Sequence, residues 1–315
     1  MRNPTNRHPD RQRTGNRDRI RVGVPALVLL ALAFGVAAEP IARGAVRTRR
    51  YAPAPPAPLD MQTVLDADVQ SEFSHIRVYR FGTVRTLTFV RPDGSEALES
   101  RVDTAAPHRQ IFNYTKLMFM HYLHAPPPER VSIVGLGGGS MVHFLRKYAP
   151  DVNVTVVEID PAIVDIAGRF FAVKPDERLS IVQQDGAKYF AETDGTFDVI
   201  YLDAYLGGSV KTDATGVPLD LKANEFLQTV RRRLTPQGVA VFNVNHHARS
   251  DEDIRRIASV FRNTYVYRLP GQSVVVATQQ EKRDTVPEIA GRARQLDARF
   301  QADFTFESLV RYLQR

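Results

Sequence analysis

From residue 72 onward the chain is built of short apolar runs whose period keeps changing. "HIRVYR", "VRTLTFV" and "EALESRV" alternate apolar with polar residues, and "RPDGS" supplies a turn between the last two. This predicts a small antiparallel β unit over 72–106. "IFNYTKLMFMHYLH" then reads as a helix with Ile111, Tyr114, Met118 and Tyr122 on one face. Beyond Pro126–Pro128, strand-like runs at 131–135, 153–158, 179–183, 197–202 and 238–244 alternate with helical patterns near 140–149, 161–171, 186–192 and 222–234. "TYVYRL" and "SVVVATQ" add two strands, and 285–314 reads as helical. The alternation predicts an α/β fold with a mostly parallel sheet covered on both faces over 107–280, followed by C-terminal helices over 281–315. In such sheets ligands bind beyond the carboxyl ends of the strands.

The N-terminal residues follow a different pattern. Residues 1–21 are polar and rich in Arg, and "VGVPALVLLALAFGVAA" over 22–38 is apolar and uncharged. A basic stretch followed by such a run predicts a secretory signal or a single-pass anchor, and so a membrane-anchored or exported protein. Residues 39–71 are basic and then Pro-rich, with "YAPAPPAPLD" as a semi-rigid spacer. The net charge of +7 invites a nucleic-acid reading, but residues 1–50 hold eleven Arg against Asp10, Asp18 and Glu39. The remainder is close to neutral, so no nucleic-acid partner is expected of the folded part. The absence of cysteine excludes disulfides, thiolate catalysis and Cys-based metal sites.

Candidate chemistry gathers at the predicted strand ends. In "VSIVGLGGGSMVHFLRKYAP" the glycines Gly135, Gly137, Gly138 and Gly139 lie between the first parallel strand and its helix. Glycines there permit a tight turn and let a ligand approach backbone N–H groups at a helix N-terminus. Glu158 in "VTVVEIDP" ends the next strand, where a carboxylate can accept from both ribose hydroxyls. Asp160 before Pro161 reads as a helix N-cap. In "QQDGAKYF", Asp185 with Gly186 reads either as an adenine contact or as another cap. Asp203 closes the apolar strand of "VIYLDAYLGG" and faces the crevice as a base or an orienting group for a cationic substrate. The adjacent His246 and His247 read as core or surface histidines, and no metal is expected.

These motifs resemble the spermidine synthase (polyamine aminopropyltransferase) family over residues about 72–280. "VGLGGGS" is similar to its glycine turn IGGGDGG, the spacing from Ser140 to Glu158 agrees, "QDGAKYF" matches its "GDA…FL", and "LTPQGVAVFN" its "L.PGGV". The resemblance implies a Rossmann-like methyltransferase fold preceded by a small β domain. It also implies Glu158 on the ribose, Asp185 on the adenine and Asp203 facing the amine nucleophile. The chain departs from the pattern at the turn acid, which is Gly138 here, and at the second acid of "DSSDP", which is Leu206. A glutamine of the family's β domain becomes His75, and "YHE" becomes "YTK", which keeps Tyr114. His75, Tyr114 and Tyr205 are the expected substrate contacts.

The expected co-substrate is decarboxylated S-adenosylmethionine or S-adenosylmethionine itself. Loss of the turn acid removes a charge that would repel the carboxylate of the intact donor. That favours methyl transfer, whereas the resemblance as a whole makes aminopropyl transfer to a polyamine-type amine the leading reading. Its alternatives are a methyltransferase and a non-catalytic nucleoside or polyamine binder. Expected partners are a small amine, a second copy in a homodimer, and the membrane through 22–38 if that segment is uncleaved. Use of the expected donor implies a cytoplasmic-facing catalytic domain.

Overall fold

A computed structural model describes residues 62–207 and 211–314. The segment expected to reach the membrane, residues 22–38, lies outside the described residues. The localisation read from that segment is corrected, because no helix among the described residues is long and apolar enough to cross a membrane.

The N-terminal strands β1 (Val64–Gln70), β2 (His75–Phe81), β3 (Val84–Val90) and β4 (Glu96–Asp103) form an antiparallel sheet in that order. β1 falls within the stretch expected to be linker up to residue 71, so the sheet begins at Val64 instead. Its acids disguise it in the sequence but hold it to its neighbours. Asp66 pairs with Arg80 at 3.2 Å and Arg85 at 3.3 Å, and Asp68 pairs with Arg77 at 2.9 Å.

The segment expected as one helix is α1 (Asn113–Met118) followed by a 3-10 turn over Phe119–Leu123. Leu117 to His124 are all buried, so there is no polar face to maintain. Met118 and Tyr122 join the core as expected, whereas Ile111 precedes the helix and is exposed.

The larger sheet contains β5 (Arg130–Val134), β6 (Asn153–Glu158), β7 (Leu179–Gln183), β8 (Phe197–Leu202), β9 (Leu234–Asn245), β10 (Asn263–Leu269) and β11 (Gln272–Thr278). Their order is β10-β11-β9-β8-β5-β6-β7. β7, β6, β5, β8 and β9 run parallel, and β11 and β10 return antiparallel at one edge. Alternate residues of each strand feed two apolar layers, which is why the strands read as continuous Val and Ile runs. α2 (Ser140–Tyr148), α3 (Pro161–Phe170) and α7 (Val286–Phe300) cover one face through Phe144, Ile163 and Ile289. α4 (Gly186–Glu192), α5 (Asn224–Arg232) and α6 (Ser250–Val260) cover the other through Phe190, Phe226 and Ile257. The expected run of helix over 285–314 breaks at Gln301, whose φ of 47° is left-handed, and resumes as the short α8 (Phe306–Leu309).

Strand order reverses between β5 and β8, so their outgoing loops diverge and open a crevice at their carboxyl ends. The small sheet closes one side of it. Asp160 is fully buried at this junction: its Oδ1 accepts from Ala162 N at 2.9 Å as the expected cap, and its Oδ2 accepts from Ser71 Oγ at 2.6 Å. Asp160→Ala should therefore lose a cap and a charge-assisted hydrogen bond, lowering stability by about 2–4 kcal/mol. Equilibrium urea denaturation of the purified chain measures this, and an unchanged midpoint would refute the assignment.

Candidate active site

The glycine turn is shaped by the backbone around it. Gly135 N donates to Val157 O at 2.9 Å and Gly139 N donates to Leu136 O at 2.9 Å, which ties β5 to β6 and closes the turn before α2. Gly135 has a φ of 93°, and a Cβ there would lie 2.2 Å from the carbonyl oxygen of Asp203. No larger residue fits. At Gly138 a Cβ would lie 2.7 Å from Ser100 Oγ and 2.9 Å from the Phe171 ring, so the small sheet already fills that space.

Glu158 is buried beneath the turn. Its Oε2 accepts from Leu136 N and its Oε1 from Asp160 N, both at 2.9 Å. Burial pushes its carboxyl up to about 7, and these backbone donors oppose the shift. Each oxygen keeps a further lone pair for a hydroxyl donor. Asp185 caps α4 by accepting from Lys188 N at 2.8 Å, with Gly186 at the first helical position. Asp185, Gly186 and Glu158 line one groove, and Glu158 also lines the adjoining crevice beside Gly135 and Gly137.

Asp203, next to the turn through its backbone, also lines that crevice. Asn243 Nδ2 donates to its Oδ1 at 2.7 Å, and the Tyr114 hydroxyl lies 3.4 Å from its Oδ2. Gln272 Nε2 donates to Asn243 Oδ1 at 2.8 Å, which fixes the amide so that its NH2 faces the carboxylate. Burial raises the Asp203 carboxyl to about 6 against the pull of Asn243 and Tyr114. Tyr205 lines the same crevice and donates to Asn243 O at 3.3 Å. Tyr114 and Tyr205 are both raised well above the usual phenol range by burial and the neighbouring acids.

His75 does not join them. Its Nε2 lies 2.6 Å from Asp68 Oδ1, and the ring lines a separate groove with Gln70 and Arg91. Its neighbour Ser74 borders that groove too but also lines the crevice, and accepts from Gly207 N at 2.9 Å. Successive residues point to opposite sides of an extended chain, so an offset of one turns the imidazole away.

The crevice also holds an acid that the motifs do not reveal. Glu99 of β4 lines it beside Asp203, and burial together with the Asp203 charge raises its carboxyl to about 7. Elsewhere, among the described residues, Asp213, His247 and Asp253 bring potential ligand atoms within 4.8 Å of one another. The Lys222 ammonium lies among them, 2.5 Å from Asp213 Oδ2 and ion-paired with Asp253, so a cation of the chain's own occupies the cluster. His246 bonds Ser273 Oγ at 2.8 Å.

The spermine/spermidine synthase domain matches residues 112–278. The chain belongs to the spermine/spermidine synthase family. It is 31% identical over 237 residues to a polyamine aminopropyltransferase of Chromobacterium violaceum, covering 73% of this chain and 86% of that one. A spermidine synthase solved with the transition-state analogue AdoDATO shares the fold at 20% identity, with a TM-score of 0.62 over 80% of this chain and 85% of the other. Human methyltransferase-like protein 13, solved with SAH, aligns at 25% identity and a TM-score of 0.55 over 61% of this chain and 94% of that one. The synthase family and methyltransferases thus share this architecture, and the expected fold is the one found.

The raised pKa of Asp203 has a consequence for stability. Its folded value near 6 exceeds the unfolded value of 3.8, so its charge costs stability that is lost as pH rises through that window. Asp203→Asn should therefore gain stability relative to the parent between about pH 4 and pH 6 and keep the gain above it. Urea midpoints of both proteins at pH 4 and pH 8 test this, and an equal gap at the two pH values would contradict it.

Proposed function

We propose that this chain transfers an aminopropyl group from decarboxylated S-adenosylmethionine to a primary amine of the polyamine type, with Asp203 as the base. One observation carries the reading: a partly buried carboxylate, raised to about 6 and oriented by Asn243 and Tyr114, shares a crevice with a glycine turn and Glu158. Membership of the synthase family supports it.

In this reading Glu158 accepts from the ribose hydroxyls, and Asp185 and Gly186 line the groove for the adenine. The walls of the crevice direct the sulfonium arm towards Asp203. The lone pair of a neutral amine attacks the propyl carbon bonded to sulfur. A C–N bond forms, the C–S bond breaks, and its electrons return to sulfur as methylthioadenosine leaves. The new ammonium gives its proton to the Asp203 carboxylate, which also stabilises the positive charge developing on nitrogen. A base with a pKa near 6 is deprotonated at neutral pH and still strong enough to help.

Methyl transfer from intact S-adenosylmethionine is the second reading, and Gly138 favours it. The family acid at that position would hold the donor's amino group and repel a carboxylate. Ser100 and Phe171 occupy the corresponding space here.

Assays should offer both donors with putrescine, cadaverine and agmatine. Asp203→Asn should lower turnover by about 100-fold while nucleoside affinity changes little. In the parent, kcat/KM should fall as pH drops through about 6, where Asp203 takes up a proton. Methylated product, with no aminopropyl product, would replace the first reading by the second. Unchanged turnover in the variant would remove Asp203 from the chemistry. Glu158→Ala should weaken methylthioadenosine binding by about 1–3 kcal/mol through unpaired ribose hydroxyls, and calorimetry that finds equal affinity would sink the nucleoside assignment.

A further inference from the structure

Glu99 owes its direction to a fault in the strand pairing. Leu87 of β3 faces Ser100 and the next residue, Thr88, faces Leu98, so Glu99 is an extra residue with no partner on β3. Such a bulge re-aims the side chains around it. Leu98 is left 45% exposed, Ser100 and Val102 go to the interior, and Glu99 enters the crevice.

There the carboxylate has nothing to hold. Other partly buried acids of the chain are engaged: Asp66 by Arg80 and Arg85, Asp213 by Lys222, Glu158 by two backbone N–H groups. Among the described residues no donor or cation is within bonding distance of Glu99. Arg91 eases its charge from further away, and the charge of Asp203 opposes it. Two carboxylates facing one crevice without a cation raise each other's cost of ionisation, and a cation placed between them removes it.

Glu99 also stands where the crevice meets a second groove, walled by Phe112, Tyr114, Tyr205 and the amides of Asn243 and Gln272. Aromatic walls accommodate a methylene chain and attract an ammonium over their faces. The acid that the family pattern places at position 206 is Leu206 here.

We propose that Glu99 is the second carboxylate of an alkylammonium site, binding a primary ammonium beside Asp203. This rests on the aminopropyltransferase reading. The ammonium belongs either to the acceptor amine or to the aminopropyl arm of the decarboxylated donor, and the two are separable by binding alone.

Glu99→Gln keeps the shape and removes the charge. Calorimetry on the full chain saturated with methylthioadenosine, titrated with putrescine, reads the acceptor. Titration of the chain alone with decarboxylated S-adenosylmethionine, against methylthioadenosine as the control lacking the arm, reads the donor. One of the two amines should bind the variant about 30-fold or more weakly, with methylthioadenosine affinity within twofold of the parent. The amine that weakens is the one Glu99 holds. In steady-state assays the loss should fall on KM for that substrate more than on kcat, and Glu99→Asp should recover part of it. Equal binding of both amines by parent and variant overturns the role of Glu99 and leaves the transferase reading standing. Binding of neither amine by the parent, with tight binding of intact S-adenosylmethionine, overturns both.

Discussion

The close approach of Gly135 to the carbonyl of Asp203 sets the geometry on which the site depends. With 2.2 Å between that oxygen and the place a Cβ would take, the β5 turn and the β8 loop can come no nearer and leave no room for a side chain between them. Asp203 N donates to Val134 O at 3.0 Å, so the two strand ends are also bonded. The base therefore has a fixed distance from the turn that would receive a nucleoside. Glu158 secures the other side by accepting from both Leu136 N and Asp160 N. Asp160 passes the constraint on to Ser71, and Gly207 N is tied to Ser74. The crevice is thus built jointly by both sheets, and neither could shift without disturbing the acids.

Those acids stand apart electrostatically from the rest of the molecule. Along the small sheet the carboxylates of Asp68 and Glu96 lie below their usual range, the first because the His75 ring and Arg77 bond it and the second because Tyr79, Arg77 and Thr88 do. Glu99, Glu158 and Asp203 are all displaced upwards, chiefly by burial. Clustered acids with raised pKa values cost the fold stability and are the signature of a candidate functional site. The Lys222 cluster is the useful contrast, since its two acids, Asp213 and Asp253, are both paired with that lysine.

Much of this was legible in the sequence because it depends on local rules. Buried parallel strands must be apolar on both faces, so their positions and the helices between them emerged from periodicity. The turn required glycines, and Asp160 before Pro161 could hardly be anything but a cap. The failures lie where tertiary pairing overrides the local pattern. β1 carries acids that make sense only opposite the arginines of β2 and β3, and α6 shows just a thin stripe of Ile254, Ile257 and Val260. His75 matched a family position by alignment and missed the crevice by one residue. Glu99 was invisible for a related reason. In strict alternation it shares a face with Ala97 and Arg101, and only the bulge opposite Leu87 and Thr88 turns it inward.

The same bulge connects two departures from the family pattern that look unrelated in sequence. The turn acid is absent at Gly138, and Ser100 of β4 supplies the atom that crowds that position, its Oγ lying where a side chain would begin. An acid at 138 would have to displace the Ser100 hydroxyl and the Phe171 ring, and Ser100 is the residue next to Glu99 at the bulge. Glycine at 138 and the bulge that places Glu99 thus meet at the same short stretch of β4. In place of an acid at the turn, the crevice has Glu99 on β4 of the small sheet, beside Asp203 and the aromatic groove. That arrangement is what a site would need if it kept the attraction for an ammonium while opening the turn beside the donor.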